Sequence, residues 1–236
     1  MIDLYVFPPS WGLPNASPFC VKLETYLRMA GLEYRTVYEP DPRKGPKGKM
    51  PFIVDQGRRI GDSGLVIDYL KATYGDPLDE GLNPSERAQA LALQRLIEEH
   101  LYWCILHDRW IVEQHWRTLK SEFFDPMPAL IRGFVSAAVR RKMAQALRGC
   151  GVGRHSTEEI YQLGADNIAA LAAALGDRPY VFGDEATSID ATVFGTTCNL
   201  LWAPFDSPMR DAAMARQNIV DHAERMRNRY FAPAES

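Results

Sequence analysis

The hydrophobic pattern of this chain changes about one third of the way along its length. As far as residue 76, short runs rich in strand-forming residues alternate with segments whose apolar residues recur three or four positions apart. From residue 84 onward only the helical spacing continues. The change predicts an α/β domain over residues 1–76 and an all-helical domain over residues 84–236, connected by a linker rich in glycine, proline and acidic residues.

The same pattern predicts the individual elements of both domains. In the first domain we expect strands at residues 4–7, 34–38, 52–54 and 58–60, with helices at 17–31 and 65–74. In the second we expect helices at 84–120, 128–148, 157–175, 188–201 and about 209–230. Because a strand–helix–strand start requires a right-handed crossover, the first domain is expected to form a small sheet covered by helices.

Composition and charge exclude several classes of protein. Lys and Arg number 27 and Asp and Glu 30, and the formal net charge of −3 is too small to predict nucleic-acid binding through bulk electrostatics. The four cysteines are isolated in the sequence, which argues against a disulfide framework and a zinc finger. The chain has neither a basic leader nor an apolar stretch near the ~18 residues of a transmembrane helix. We therefore predict a cytoplasmic protein without a transmembrane segment.

His100, Cys104 and His107 share one face of a predicted helix, and each neighbouring pair has ligand-like spacing. The two histidines are about two turns apart, near 10 Å at a rise of ~1.5 Å per residue. This distance is awkward for one tetrahedral ion, so we predict no metal site.

Two predicted helix starts offer places for an anion. Ser17 precedes Pro18 at the first helix, where free N–H groups and the helix dipole favour a thiolate. Asp62 and Ser63 precede the second helix, where N–H groups would hold a substrate carboxylate. At both places simple capping is the alternative, because serine and aspartate are common helix caps.

Pro51 stands at the start of the third predicted strand, where its missing N–H does not interrupt the hydrogen-bond ladder. A cis bond before this proline would expose the backbone of Met50 to pairing with an extended peptide. The basic segment that ends at Lys49 would suit a carboxylate, and a solvated loop is the alternative for most of it.

Trp103 and Trp110 lie seven residues apart on a predicted helix, and Trp11 lies in the loop after the first strand. Aromatic residues at helical spacing usually belong to a core. If this helix borders a cleft, these side chains would instead line an apolar pocket.

The order of these motifs resembles the glutathione transferase family over essentially the whole chain. The resemblance rests on Ser17-Pro18-Phe19-Cys20, Lys49-Met50-Pro51, Asp62-Ser63, and Tyr180-Val181-Phe182-Gly183-Asp184 followed by Thr187-Ser188-Ile189-Asp190. The spacing of Thr187 and Asp190 is that of a capping box. Phe7-Pro8-Pro9 with residues 17–25 looks like the branch that includes the failed-axon-connections and metaxin-like proteins.

The resemblance implies the glutathione transferase fold, a thioredoxin-like N-terminal domain with an all-α C-terminal domain, and a homodimer. It also implies glutathione as cosubstrate and gives each candidate residue a role. The Met50 backbone beside cis Pro51 would bind the cysteinyl part and Lys49 the glycine carboxylate. Asp62 and Ser63 would bind the γ-glutamyl end, Ser17 would face the sulfur, and Trp11, Trp103 and Trp110 would line the pocket for the second substrate. The long loop at residues 8–16 departs from the family pattern.

The expected function is therefore stabilisation of the glutathione thiolate and its conjugation to a small apolar electrophile, or its exchange with a disulfide, as in detoxification. The alternative is a transferase-like binding or assembly module of the metaxin type, which has the fold without turnover.

Overall fold

The computed structural model describes residues 1–231. Its N-terminal part contains a four-stranded sheet in the order β2-β1-β3-β4, built from β1 (Ile2–Val6), β2 (Tyr34–Tyr38), β3 (Phe52–Asp55) and β4 (Arg58–Gly61). β1 pairs in parallel with β2 and antiparallel with β3, and β3 pairs antiparallel with β4. Two helices, α1 (Pro18–Met29) and α2 (Ser63–Tyr74), pack against the sheet. The architecture confirms the predicted thioredoxin-like fold.

The local sequence explains why these elements form. In β1, Ile2, Leu4 and Val6 are buried and the residues between them are half-buried, as expected for a strand whose side chains alternate between two faces. Pro18 occupies the first turn of α1, where its missing N–H costs no intrahelical hydrogen bond.

The C-terminal part is helical, as predicted. Its elements are α3 (Pro84–Arg95), a π-helical turn (Leu96–Leu101), α4 (Tyr102–Trp110), α5 (Glu113–Phe124), α6 (Ala129–Cys150), α7 (Thr157–Leu175), α8 (Ser188–Leu201), α9 (Pro208–Met214) and α10 (Gln217–Tyr230). α8 is the central element, and every residue from Ile189 to Leu201 is buried. It packs along α1, so the two parts of the chain share an extensive interface. Within residues 1–231, no helix is both long and apolar enough to cross a bilayer.

The single helix predicted over residues 84–120 is wrong, because the chain interrupts it after Trp110. Val112 adopts an extended conformation (φ −63°, ψ 120°) and precedes α5. Arg140 of α6 donates to the backbone carbonyls of Trp110 and Ile111, at 2.9 Å each. These bonds satisfy carbonyls that a helix end leaves without an intrahelical partner.

The single helix predicted near residues 209–230 is also wrong, because an extended residue divides it into two helices. Arg216 is extended (φ −112°, ψ 95°) and separates α9 from α10. The hydrophobic spacing continues through this residue, which is why the pattern alone did not indicate the break.

Candidate functional site

Ser17 stands at the N-terminus of α1 and is half-buried. Its backbone is extended (φ −97°, ψ 119°), and its carbonyl accepts hydrogen bonds from the N–H groups of Cys20 and Val21, both at 3.1 Å. Its side chain makes no capping hydrogen bond to the helix. The hydroxyl therefore stands at a helix N-terminus without serving as the cap, which is the arrangement that favours binding of an anion.

Cys20 lies one turn further along α1 and is completely buried. Burial raises the pKa of this thiol to about 12, and the Ser17 hydroxyl and the Phe7 backbone offset this effect only in part. Because a thiol with such a pKa stays protonated near neutral pH, Cys20 is a small core side chain rather than a nucleophile.

The loop before Ser17 is anchored by hydrogen bonds at several points. The Asn15 side chain donates to the Phe7 carbonyl at 2.5 Å and accepts from the Ser17 N–H at 3.0 Å. The Ser10 hydroxyl donates to Glu122 of α5 at 2.6 Å. The long loop is thus tied both to the end of β1 and to the helical part of the chain.

Arg109 of α4 also holds this loop, and sequence reasoning missed it. Its side chain is buried, and Nη1 donates to the Ala16 carbonyl at 2.9 Å. Nη2 donates to the backbone and side-chain oxygens of Asn199 on α8, at 2.8 and 3.1 Å. Nothing in the residues around position 109 indicates these contacts, because the partners lie about 90 positions away in either direction.

The Met50–Pro51 peptide bond is cis and lies at the start of β3. Met50 and Pro51 are buried, whereas Lys49 is exposed. Gly45 approaches this turn so closely that a Cβ built on it would lie 2.2 Å from the Lys49 carbonyl oxygen. A larger residue at position 45 would therefore displace the turn before β3.

Of the two residues at the start of α2, Asp62 has the capping role that the sequence left open. Asp62 is the cap, since its Oδ1 accepts from the N–H groups of Gly64 and Leu65 at 3.0 and 3.2 Å. It has the left-handed φ of 83°, which is uncommon for a residue other than glycine. Ser63 is buried as the first residue of the helix.

Three polar side chains form a row of contacts across the interface between the two parts of the molecule, near the N-termini of α1 and α2. Lys22 of α1, which is buried, and Glu98 of the π-helical turn, whose side chain is 10% exposed, form an ion pair at 2.6 Å. Gln94 donates to the second oxygen of Glu98 at 2.9 Å, and its Nε2 would lie 3.5 Å from a Cβ built on Gly64 at the start of α2. A cavity of about 10 Å³ adjoins this pair, which is about the space that one water molecule needs.

The three candidate tryptophans lie in two separate clusters. Trp11 contacts Phe123 and Phe205 with ring centroids 5.1 and 5.0 Å apart, and Trp110 packs against the same cluster. Trp103 packs against the main core of the helical part instead. A substrate pocket lined by all three residues stays a prediction.

The histidines and the cysteine considered as metal ligands have other contacts. His100 is hydrogen-bonded to Asn167 at 2.7 Å and His107 to Thr157 at 3.1 Å, while Cys104 belongs to the buried core. In the described part of the chain, no group of three or more potential ligands is placed to hold a metal ion.

Comparisons with known proteins show two family matches. The glutathione S-transferase N-terminal domain matches residues 18–116, and the glutathione S-transferase C-terminal domain matches residues 164–226. A glutathione S-transferase of Ceriporiopsis subvermispora, solved with glutathione, has a TM-score of 0.68 at 17% identity, with 99% of each chain covered. At this identity the structural likeness shows the fold alone.

Three relatives align over nearly the whole chain. The isoprene-epoxide glutathione S-transferase of Rhodococcus is 35% identical, with 98% of this chain and 99% of that protein covered. Failed axon connections of Drosophila melanogaster is 33% identical, with 98% of this chain and 58% of that protein covered. Mouse metaxin-1 is 26% identical, with 98% of this chain and 75% of that protein covered. The chain therefore belongs to the glutathione S-transferase family, in the branch that includes failed axon connections and the metaxins.

Proposed function

We propose that this chain binds glutathione on its N-terminal part, stabilises the glutathione thiolate beside Ser17 and transfers it to a second substrate. The observation that carries the proposal is the Ser17 hydroxyl, which stands at the N-terminus of α1 and does not cap that helix. A serine hydroxyl has one hydrogen to donate to a sulfur anion, and the helix dipole adds to the stabilisation. Lowering the pKa of the thiol in this way increases the fraction of nucleophile at neutral pH.

The remaining contacts to glutathione are assigned by position. The Met50 backbone, next to the cis bond to Pro51, pairs with the cysteinyl part, and exposed Lys49 attracts the glycine carboxylate. The γ-glutamyl carboxylate lies at the start of α2. Because Asp62 already accepts from the N–H groups of Gly64 and Leu65, that carboxylate is bound by the hydroxyl and N–H of Ser63.

The proposed second substrate is a small apolar electrophile, with an epoxide as the first candidate because the Rhodococcus relative is named for isoprene epoxide. The thiolate sulfur attacks an epoxide carbon, the carbon–oxygen bond breaks, and the resulting alkoxide takes a proton from water. With a disulfide, the same thiolate forms a new sulfur–sulfur bond and a second thiolate leaves. The aromatic surface at Trp11 and Trp110 is the proposed apolar contact for the electrophile.

A non-catalytic binding or assembly module is the second candidate function. It is favoured by the similarity to metaxin-1 and to failed axon connections. Retention on glutathione-agarose, combined with conjugation of an aryl halide and of a small alkyl epoxide, distinguishes the two. The transferase proposal expects retention and turnover that depends on protein concentration. Retention without turnover, or neither, contradicts the transferase proposal and supports the module.

The homodimer and the cytoplasmic location stay predictions from the sequence. Sedimentation analysis of the purified chain tests the first, since a two-fold dimer has twice the 26.6 kDa mass of the chain. Fractionation of the source cells tests the second.

A further inference from the structure

We propose that Arg109 is a positioning residue of the sulfur site: it holds the peptide group before Ser17 and supplies a buried positive charge near the N-terminus of α1. The inference rests on the glutathione-binding function proposed above. It adds a positioning residue from the helical part of the chain to the site. The residues proposed to contact glutathione itself all belong to the N-terminal part.

The peptide group between Ala16 and Ser17 is held at both of its polar atoms. Its carbonyl oxygen accepts from Arg109 Nη1 at 2.9 Å, and its N–H donates to Asn15 Oδ1 at 3.0 Å. Because a peptide group is planar, fixing its oxygen and its nitrogen fixes the orientation of the whole group. The direction in which Ser17 leaves the loop is therefore set by these two contacts.

The anchors of this peptide form a connected network. Arg109 Nη2 donates to both oxygens of Asn199, and Asn199 Nδ2 donates in turn to the Asn15 carbonyl at 3.2 Å. Asn15 is the residue that holds the Ser17 N–H. Displacing Arg109 consequently removes the hydrogen bond to the Ala16 carbonyl directly. It also loosens the bond between Asn15 and the Ser17 N–H, through Asn199.

Among the residues that the structure describes, the guanidinium of Arg109 forms no direct ion pair, and the neighbouring Asp108 carboxylate acts on it only through space, which offsets part of the effect of burial on the pKa of Arg109. Within residues 1–231, none of the ion pairs includes this guanidinium, and all its hydrogen bonds go to neutral oxygens. The adjacent Asp108 carboxylate is bound to His115 and Tyr161 instead. Burial lowers the pKa of Arg109 to about 10, so the group remains protonated at neutral pH. A thiolate bound beside Ser17 supplies the opposite charge, and a nearby cation lowers the pKa of such a thiol.

Two substitutions distinguish the effect of the Arg109 charge from the effect of its hydrogen bonds to the loop. Arg109→Met removes the charge and the hydrogen bonds but keeps an unbranched apolar side chain. Arg109→Lys keeps the charge but loses the planar fork that contacts Ala16 and Asn199 together. Arg140→Met is the matched control. Arg140 also donates to two backbone carbonyls and stacks on Trp116 at 5.0 Å, but it holds the junction of α4 and α5 rather than the loop.

The thiol pKa of bound glutathione is measured from thiolate absorbance against pH, together with kcat, KM for glutathione and the unfolding midpoint. For Arg109→Met we expect the thiol pKa to rise by about one unit or more. At a pH at least one unit below the parental thiol pKa, kcat should fall by about tenfold, since a one-unit rise then leaves about a tenth of the thiolate. KM should stay within about threefold, and kcat should recover only in part above the raised pKa, because the peptide before Ser17 still lacks its anchor to Arg109. Arg109→Lys should shift the thiol pKa less, and Arg140→Met should lower only the unfolding midpoint.

A folded Arg109→Met with the parental thiol pKa and pH profile overturns the inference. If Arg109→Met does not fold, Asn199→Ala replaces it; we expect a lower kcat with the thiol pKa retained, and an unchanged kcat overturns the inference. Ser17→Ala is measured alongside. If Ser17→Ala raises the thiol pKa while the Arg109 variants behave as the parent, only the role of Arg109 is wrong. If the parent does not bind glutathione, the proposed function and this inference are both wrong.

Discussion

Asp190 lies in the family signature at the start of α8. Replacing it with alanine should lower the stability of the protein and should not remove the transferase activity directly. The carboxylate is fully buried. Its Oδ2 accepts from the N–H and hydroxyl of Thr187 at 2.8 and 2.9 Å, and its Oδ1 accepts from the Val181 N–H at 2.9 Å. Oδ1 also lies 3.0 Å from His222 Nε2 on α10. The carboxylate thus fastens the preceding loop and the last helix to the core helix.

The expected loss follows from the groups that Asp190→Ala leaves without a partner. Removing one partner of a buried charged pair costs about 3–5 kcal/mol. This range is the lower part of the sum for the three donors left unsatisfied on Val181, Thr187 and His222, at about 1–3 kcal/mol each. At ~2–4 °C per kcal/mol for a chain of this size, the unfolding midpoint should fall by roughly 6–20 °C.

Glu159→Ala is the matched control for Asp190→Ala. Glu159 has the same position in the capping box of α7, where it accepts from the Ser156 N–H at 2.8 Å, but its side chain is 63% exposed. Its loss should cost about 1 kcal/mol or less, because water replaces the hydrogen bond. Both variants are compared by urea unfolding, with circular dichroism as the signal. Equal losses for the two variants, or an Asp190→Ala protein that is fully stable but inactive, would refute a structural role for Asp190.

Three further predictions concern binding, reactivity and the interface. Ser63→Ala should weaken glutathione binding by more than twofold in calorimetry, and a smaller change would show that the γ-glutamyl carboxylate lies elsewhere. At pH 8, iodoacetamide should modify exposed Cys150 and leave the three buried cysteines intact, since burial raises the pKa of each of these thiols to about 12; mass spectrometry of the native protein checks this. Lys22→Met alone should cost up to about 3 kcal/mol in urea unfolding, because Glu98, whose side chain is 10% exposed, loses its ion-pair partner. Adding Glu98→Leu should restore most of the loss, and additive losses would show that the two side chains do not interact.

Elements with strong local signals were predictable from the sequence. The bounds of β2, α7 and α8 agree with the expected ones to the residue, because caps at Ser156 and Thr187 mark the starts of the two helices. The breaks before α5 and α10 were not predictable, since the hydrophobic spacing continues through them. Arg140, which satisfies the carbonyls at the first break, lies 29–30 residues beyond them.

In the candidate site, too, positions set by local residues were predictable and long-range contacts were not. The positions of Ser17 and Asp62 at helix starts followed from local residues, and the structure places both there. The contacts of Arg109 and Asn199 to the loop did not follow, because they depend on how the helical part packs against α1. Such contacts join residues 93 and 184 positions apart, and no spacing rule relates residues at those separations.

Whether Ser17 stabilises the glutathione thiolate is tested by the thiol pKa of glutathione bound to the parent protein and to Ser17→Ala, measured by thiolate absorbance across a pH titration. A hydrogen bond to a charged group contributes about 1.5–3 kcal/mol, so losing it should raise the thiol pKa by about one to two units. Ser156→Ala is the control, since that serine does cap its helix, and its loss should lower stability without moving the thiol pKa. We expect a parental thiol pKa below that of free glutathione and a clear rise in Ser17→Ala alone. An unchanged thiol pKa in Ser17→Ala would contradict this expectation and make the binding module the better description of this protein.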